Sequence, residues 1–339
     1  MSFAKEQILL ILILFTLVAS CSKESLTIEV SEEDIIQSIE PYFQNNPLPV
    51  GKDQYRVLAI GNSYTSDGTW YVGEILDGLG VDRNRYCLYT AVLSAASLQR
   101  WTSVLKLHDE VTLYRRAGYL AIDRVKGTLE QLLAQDWDVV VLQQVSYEAI
   151  DYNTYNPELR TLIDAIYTHC TNENVALAWQ LVHAYASFSS NNFGLIGEQR
   201  WNCINFAAQR VYLYDGINIV IPTGTAIENA RHSSLQTPWE LTRDGIHLNH
   251  GTGRYIAAST WVQTLFDPVF GTHQWQSTAL HPLQDWELTG KDEEATFILG
   301  TGVPVTDENR AICQICAYLA CLNPFHITYD VEGWMKDNY

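Results

Sequence analysis

Short apolar runs alternate with longer amphipathic stretches from Tyr55 onward. Wholly apolar runs of this kind are typical of strands buried on both faces of a parallel sheet. They predict strands over Arg56–Ile60, Cys87–Leu93, Val139–Leu142, Val175–Leu181 and Ile217–Ile221. Helical spacing of apolar residues predicts helices over Trp70–Leu79, Gly127–Leu133, Pro157–Cys170, Ile196–Tyr212, Thr225–Ala230 and Gly253–Phe266. The alternation predicts a doubly wound α/β fold with a central parallel sheet.

The first candidate motif is Gly61-Asn62-Ser63, directly after the first predicted strand. Glycine allows a sharp turn, and Ser63 then lies near a helix N-terminus, where backbone N–H groups are unpaired. Such groups can stabilise the oxyanion that forms when a serine hydroxyl attacks an ester carbonyl. Taken alone, the motif is equally consistent with a catalytic serine and with a serine that is only a turn residue or a helix cap.

The second motif is Asp244-Gly245-Ile246-His247, shortly before the last predicted core helix. An imidazole changes charge near neutral pH, so His247 can accept the proton of Ser63 and return it to a leaving alcohol. A carboxylate three positions away can hold the imidazole tautomer, which gives Asp244 the orienting role. An isolated Asp-x-x-His is common by chance. Its position in a loop at the carboxyl end of a strand, together with the serine behind the first strand, favours a shared site.

At these motifs the chain resembles the SGNH (GDSL-like) hydrolase superfamily, whose serine follows the first strand and whose Asp-x-x-His lies near the end of the core. The closer resemblance is to an uncharacterised SGNH-like subfamily of bacterial lipoproteins. It covers roughly Tyr55 to Phe270 and rests on the stretches Leu58–Tyr64, Leu142–Gln144, Pro222–Ala226 and Arg243–Leu248. The resemblance implies a flavodoxin-like, three-layer α/β/α sandwich in which Ser63, Asp244 and His247 form a catalytic triad.

The chain departs from the superfamily at the implied oxyanion hole. The superfamily has a glycine after the second strand and an asparagine after the third, whereas this chain has Ala95 and Gln144 in the matching regions. By the resemblance, the N–H groups of Ser63 and Ala95 and the amide of Gln144 hold the oxyanion, with Gln143 as the alternative to Gln144. An alanine N–H can serve provided that the backbone angles are ordinary. A glutamine amide donates the same hydrogen bond from one methylene further out.

Both ends of the chain lie outside the predicted hydrolase domain, residues 51–270. The apolar run Ile8–Val18 follows Lys5, is too short to span a bilayer, and ends at Val18-Ala19-Ser20-Cys21, which resembles a bacterial lipobox. Residues 1–20 are therefore predicted to be a lipoprotein signal peptide and Cys21 the lipidated residue, with 21–50 a tether and arm. The alternative is an ordinary secretory peptide with a chance cysteine. Residues 271–339 are predicted to be an extension that packs on the core.

Six cysteines follow Cys21, and export allows disulfides without requiring them. Cys313 and Cys316 have the spacing of a redox or zinc motif, but they fall in a predicted helix over Thr306–Cys321 that Thr306 can cap. Cysteines on the apolar face of a helix usually behave as small buried hydrophobic residues. No second Cys-x-x-Cys and no nearby histidine pair completes a zinc site, so no metal is predicted. His183 lies at a strand end and either borders the site or is structural.

Composition narrows the choice of ligand. The chain has 339 residues, 47% of them hydrophobic, and a formal net charge of −18. An acidic surface disfavours nucleic acid and anionic headgroups. The 10 Trp and 19 Tyr suggest stacking on sugar rings, although most such residues belong to cores.

The sequence therefore predicts an exported serine esterase, lipid-anchored in the bacterial cell envelope, on the cell surface or the periplasmic face. It would remove acetyl or other short acyl groups from carbohydrate without a cofactor. A glycan-binding lipoprotein that has lost turnover on the same fold is the alternative from another class, and a lipase or peptidase is a third.

Overall fold

The computed structural model describes residue 48 and residues 52–117, 120–192, 194–278 and 304–339. The predicted signal peptide, Cys21 and nearly all of the predicted arm lie outside these residues. In the described part of the chain, no helix has the length and apolar character needed to cross a membrane.

In the described residues, one sheet of seven strands forms the centre of the fold. Its strands are β1 (Tyr55–Gly61), β2 (Tyr86–Val92), β3 (Glu110–Ala117), β4 (Leu120–Thr128), β5 (Val139–Leu142), β6 (Ala176–Gln180) and β7 (Ile219–Ile221). Their order across the sheet is β4-β3-β2-β1-β5-β6-β7. Five neighbouring strands are parallel to one another, in the order β2-β1-β5-β6-β7. Numbered among themselves, these five run 2-1-3-4-5, which is the flavodoxin-like order.

Helices cover both faces of this sheet. They are α1 (Ser63–Thr69), α2 (Val72–Gly78), α3 (Leu98–Leu107), α4 (Leu129–Leu133), α5 (Glu158–His169), α6 (Glu198–Tyr214), α7 (Thr223–Arg231), α8 (Thr252–Leu265), α9 (Asp267–Phe270), α10 (Asp307–Leu322) and α11 (Val331–Asn338), with 3₁₀ turns at Tyr152–Thr154 and Gln274–Gln276. Successive residues of a strand point to opposite faces. Val57 accordingly packs in the core under α2, α7, α8 and α10, while Leu58 packs in the core under α3, α5 and α6. The predicted three-layer α/β/α sandwich is confirmed.

The edge of the sheet beyond β2 differs from the prediction. The antiparallel hairpin β3–β4 was not predicted, and the helix expected from Gly127 begins at Leu129, with Thr128 as its N-cap. Among the hairpin residues whose burial is described, Val111 and Leu113 bury one face of β3 while Thr112 and Tyr114 on the other face stay partly exposed, so the chain there lacks the wholly apolar runs of the central strands. Helix α3 was also absent from the prediction.

Two parts of the predicted C-terminal extension are described, residues 271–278 and 304–339, and the second of them packs on the core. Helix α10 lies against α7 and α8, and Thr306 caps it, as the sequence indicated, in a capping box with Asn309. Cys313 and Cys316 are fully buried in this helix, and no disulfide joins any two of the six cysteines in the described part of the chain. Among the described residues, no group of histidine, cysteine and acidic side chains could hold a metal ion.

Candidate active site

The turn after β1 holds Ser63 at the first position of α1. Asn62 is the N-cap, and its Oδ1 accepts a hydrogen bond from the Tyr64 N–H at 3.0 Å. The Asn62 amide also donates to the Ala96 carbonyl at 3.1 Å, so this buried side chain ties the serine turn to the loop after β2. A Cβ at Gly61 would overlap the hydroxyl of Thr65 and crowd the Gln143 amide, which explains the glycine at this position.

Ser63, His247 and Asp244 form a continuous hydrogen-bonded chain. The Ser63 Oγ lies 2.9 Å from His247 Nε2, and His247 Nδ1 lies 2.7 Å from Asp244 Oδ2. The other oxygen of Asp244 accepts hydrogen bonds from the backbone N–H groups of Ile246 at 2.9 Å and His247 at 2.7 Å. The structure thus brings the three residues of the two motifs together, although they are far apart in the sequence.

The hydrogen bonds to Asp244 fix its ionisation. Partial burial would raise the pKa of this carboxyl, but hydrogen bonds from the His247 side chain and from the backbone of His247 and Ile246 outweigh it. The net effect holds the pKa of Asp244 well below its ordinary value, so the group is a carboxylate at neutral pH. A carboxylate accepts a hydrogen bond from Nδ1–H, which leaves the Nε2 lone pair facing the Ser63 hydroxyl.

An open pocket of about 300 Å³ lies over this chain of hydrogen bonds. Ser63 and His247 form part of its wall, and Ala95 lies on the wall as well. Its remaining surface comes largely from the loops after β5 and β6: Val145, Ser146, Tyr147, Tyr185 and Asn191. The pocket therefore gives a small molecule direct access to the Ser63 hydroxyl.

Ser63 and Ala95, the residues whose backbone N–H groups are the predicted oxyanion donors, both line the pocket. Ser63 begins a helix, where the N–H has no intrahelical acceptor. Ala95 has φ = 49°, in the left-handed region that favours glycine, so the condition of ordinary backbone angles is not met at this alanine. No hydrogen bond of the described chain engages either N–H. Both remain available to an oxygen bound in the pocket.

Gln144 does not serve as the predicted third donor. Its Oε1 accepts hydrogen bonds from the N–H groups of Leu98 and Val145 at 3.0 and 2.9 Å. Its Nε2 donates to the carbonyl and hydroxyl of Thr154 at 3.2 and 3.3 Å. The side chain is fully buried, is absent from the pocket wall and instead joins three segments of chain. Gln143, the alternative, is also buried away from the pocket, beside Gly61.

The profile of the DUF4886 family, described as a domain of unknown function, matches residues 56–278. The chain belongs to this family. A crystal structure of a DUF4886 family protein from Bacteroides uniformis ATCC 8492 is similar, with a TM-score of 0.65 and 24% identity over 83% of this chain and 99% of that one. The crystal structure of an acetyl xylan esterase, AlAXEase, aligns with a TM-score of 0.41 and 15% identity over 61% of this chain and 98% of that one. None of the curated proteins matches the chain. Membership confirms the predicted resemblance to a subfamily of unknown function.

Two buried rings support the histidine loop of this DUF4886 protein. The Ile246 carbonyl accepts hydrogen bonds from the Tyr64 hydroxyl at 2.9 Å and from His183 Nε2 at 2.8 Å, and the two rings stack with centroids 4.2 Å apart. Burial, followed by the charge of Arg231, lowers the pKa of His183 to about 3. His183 is therefore a neutral, structural donor at neutral pH and is absent from the pocket wall. The sequence drew no attention to Tyr64, whose only signal was its place beside the motif serine.

The left-handed backbone conformation of Ala95 is expected to lower the stability of this DUF4886 protein. A non-glycine residue in the left-handed region costs roughly 1–2 kcal/mol, and a new glycine returns about 0.4–1 kcal/mol of chain entropy to the unfolded state. Ala95→Gly is therefore expected to raise the free energy of unfolding by about 0.5–1 kcal/mol, measured by urea titration. Because the N–H stays in place, turnover of a small ester should remain within about twofold of wild type. A less stable variant would contradict the left-handed assignment.

Proposed function

We propose that this protein is a serine hydrolase that cleaves ester bonds and removes acetyl or other short acyl groups from carbohydrate. The observation that carries the proposal is the chain of hydrogen bonds from Ser63 through His247 to Asp244, at 2.9 and 2.7 Å, with the serine open to a pocket. A serine whose proton has an oriented acceptor, and whose oxygen has room for a carbonyl, has what nucleophilic catalysis requires.

Acylation begins when the Ser63 Oγ bonds to the carbonyl carbon of the ester. Its proton passes to His247 Nε2, and the carbonyl electron pair moves onto the oxygen. The N–H groups of Ser63 and Ala95 stabilise the resulting negative charge, while the Asp244 carboxylate stabilises the imidazolium. When the tetrahedral intermediate collapses, the C–O bond to the alcohol breaks and the imidazolium donates its proton to that oxygen.

Deacylation repeats these steps with water as the nucleophile. His247 removes a proton from the water, whose oxygen attacks the acyl carbon. Collapse of this intermediate breaks the bond to the Ser63 Oγ, and the proton returns to the serine. The products are a free carboxylic acid and the enzyme in its starting state. Each proton and charge is handled by the side chains and backbone of the chain itself.

The size of the pocket supports a short acyl group. A volume of about 300 Å³ lies at the lower end of the range for small-molecule sites and is open to solvent. Tyr185, which contributes to the wall, is held by a hydrogen bond of 2.8 Å between its hydroxyl and that of Ser146. A long acyl chain would need more space than this volume provides.

Exposed aromatic rings near the pocket support a carbohydrate as the acyl carrier. Tyr147 lies on the wall and is 47% exposed. Phe188 and Trp239 form an exposed edge-to-face pair with centroids 5.4 Å apart, and the Phe188 ring lies 3.1 Å from the Cβ position of Gly245, beside Asp244. Flat apolar rings of this kind pack against the C–H faces of sugars. The net charge of −18 favours a neutral glycan over nucleic acid as the partner.

We also propose that the protein lies in the bacterial cell envelope. The apolar run ending at Cys21 supports an acyl anchor on that cysteine, which would tether the domain to a membrane without burying the fold. The membrane contact would then be made by the lipid alone.

The test combines active-site labelling with a substrate screen. A fluorophosphonate probe, which reacts with activated serines, is expected to label the wild type and not Ser63→Ala. The wild type should also release acetate from acetylated polysaccharides and hydrolyse short acyl esters faster than long ones or peptides. A folded wild type that takes up no label and releases no acid would contradict the proposal and favour a glycan-binding protein without turnover.

A further inference from the structure

A buried carboxylate, Asp67, lies one turn after Ser63 on α1. It is 1% exposed and has four donor atoms within hydrogen-bonding distance, which make five contacts with its two oxygens. Its Oδ2 accepts from the Leu248 N–H at 3.0 Å, and its Oδ1 accepts from the Arg254 Nε and Nη2 at 2.8 and 2.7 Å. Arg243 Nη1 lies 3.2 Å from each oxygen. Nothing in the proposed chemistry uses this residue.

The partners of Asp67 flank the histidine loop. Arg243 immediately precedes Asp244, and Leu248 immediately follows His247. Arg243 closes the loop on itself, because its N–H donates to the His247 carbonyl at 2.9 Å and its side chain donates to the Leu248 carbonyl. One carboxylate on the serine helix thus binds both ends of the segment that carries the imidazole.

The charge balance keeps this carboxylate ionised. Burial would raise the pKa of Asp67, but Arg254 and Arg243 outweigh it, with a contribution from His247, and the net effect lowers that pKa. Arg254 is in turn fixed from its other side, since its guanidinium lies 4.0 Å from the centre of the Trp70 ring. Separating Asp67 from these arginines would leave an uncompensated charge in the protein interior, so the contacts hold the segments in place.

We infer that Asp67 is a positioning residue that sets the distance between Ser63 and His247. The inference rests on the proposed function, because it concerns the same pair of atoms. Ser63 and Asp67 share one helix, so the contacts of Asp67 with Arg243 and Leu248 place the imidazole relative to the serine hydroxyl. Asp67 is absent from the pocket wall, so a substrate bound in this pocket would not reach it. A displacement of about 1 Å in such a constellation can reduce the rate on the order of 100-fold.

The test compares Asp67→Asn with a matched control, Asp138→Asn. Asp138 is also a buried carboxylate that accepts from a cation, Lys52 at 2.7 Å, and from a backbone N–H, that of Arg56 at 2.8 Å. It precedes β5 and therefore lies at the opposite edge of the sheet from the pocket. Both variants remove a buried charge, and only one of them lies beside the histidine loop.

Asp67→Asn is expected to lower kcat for a small acyl ester by about 10- to 100-fold while KM stays within about twofold. The rate of fluorophosphonate labelling should fall by the same factor. Asp138→Asn should lower the melting temperature to a similar extent and leave both rates unchanged. Equal kcat values for wild type and Asp67→Asn, or a change confined to KM, would overturn the inference while leaving the labelled wild type as support for the hydrolase.

A second variant decides the question if Asp67→Asn does not fold. Arg243→Met removes one of two cations, so the Asp67–Arg254 pair stays balanced, while one of the two links from Asp67 to the histidine loop is lost and the Leu248 N–H remains. Its kcat and labelling rate should fall about tenfold, with KM unchanged. Wild-type rates in a folded Arg243→Met protein would overturn the inference.

Discussion

Replacing His247 by glutamine is expected to lower kcat for a small acyl ester by about 100,000-fold or more. The glutamine amide can still donate a hydrogen bond to the Ser63 Oγ, which lies 2.9 Å from His247 Nε2 in the wild type, but it cannot accept a proton near neutral pH. The serine then attacks as an alcohol without a base. Steady-state hydrolysis and fluorophosphonate labelling both measure the loss.

A matched control for this variant is His232→Gln. His232 also pairs with a carboxylate, that of Glu198 at 2.9 Å, and it is absent from the pocket wall. The His232→Gln variant should retain full activity.

The effects of substituting residues that act as one unit are not additive. The double variant Ser63→Ala with His247→Gln should therefore be no slower than either single variant. A His247→Gln enzyme within tenfold of wild type would exclude this imidazole as the base.

The central sheet was predictable because burial on both faces leaves a plain pattern. Strands such as β1 and β5 consist almost wholly of apolar residues, and helical connections between such strands predict a doubly wound parallel sheet. The flavodoxin-like arrangement of the strands was implied by the family resemblance alone. The hairpin β3–β4 alternates buried residues such as Val111 with exposed ones such as Lys126. That pattern is weaker, and the charged residues in it resemble a surface helix or a loop.

The sequence predicted which residues meet at the candidate site, because the positions of the two motifs relative to the strands and helices determine this. It did not predict the direction of every side chain there. The carboxyl ends of β1 and the segment before α8 meet at one edge of the sheet, which brings Ser63 near His247. The direction of a side chain in a loop depends on local turns, and the sequence contains no pattern for those at Gln144 or Ala95. The role of Asp67 was not predicted for a related reason. A buried ion pair between segments this far apart in the chain produces no periodic pattern in the sequence.

Replacing Asp244 by asparagine is expected to lower kcat about 10,000-fold with little change in KM. The asparagine oxygen can keep the two hydrogen bonds that Asp244 Oδ1 accepts from the backbone of Ile246 and His247. The amide NH₂ then faces His247 Nδ1 and must donate to it. The imidazole proton moves to Nε2, and the atom that faces the Ser63 hydroxyl becomes a donor instead of an acceptor.

The pH dependence of stability tests whether this variant has lost a charge and kept its fold. The pKa of Asp244 is lowered in the folded state, so the charge stabilises the wild type above the ordinary carboxyl pKa of 3.8. That contribution disappears as the pH falls through the lower pKa of the folded state. The melting temperature of Asp244→Asn should therefore lie below that of the wild type at pH 7, and the two should converge as the pH falls below about 4. A constant difference from pH 7 to pH 3 would mean that the substitution disturbs packing, and the lost activity would then say nothing about the tautomer of His247.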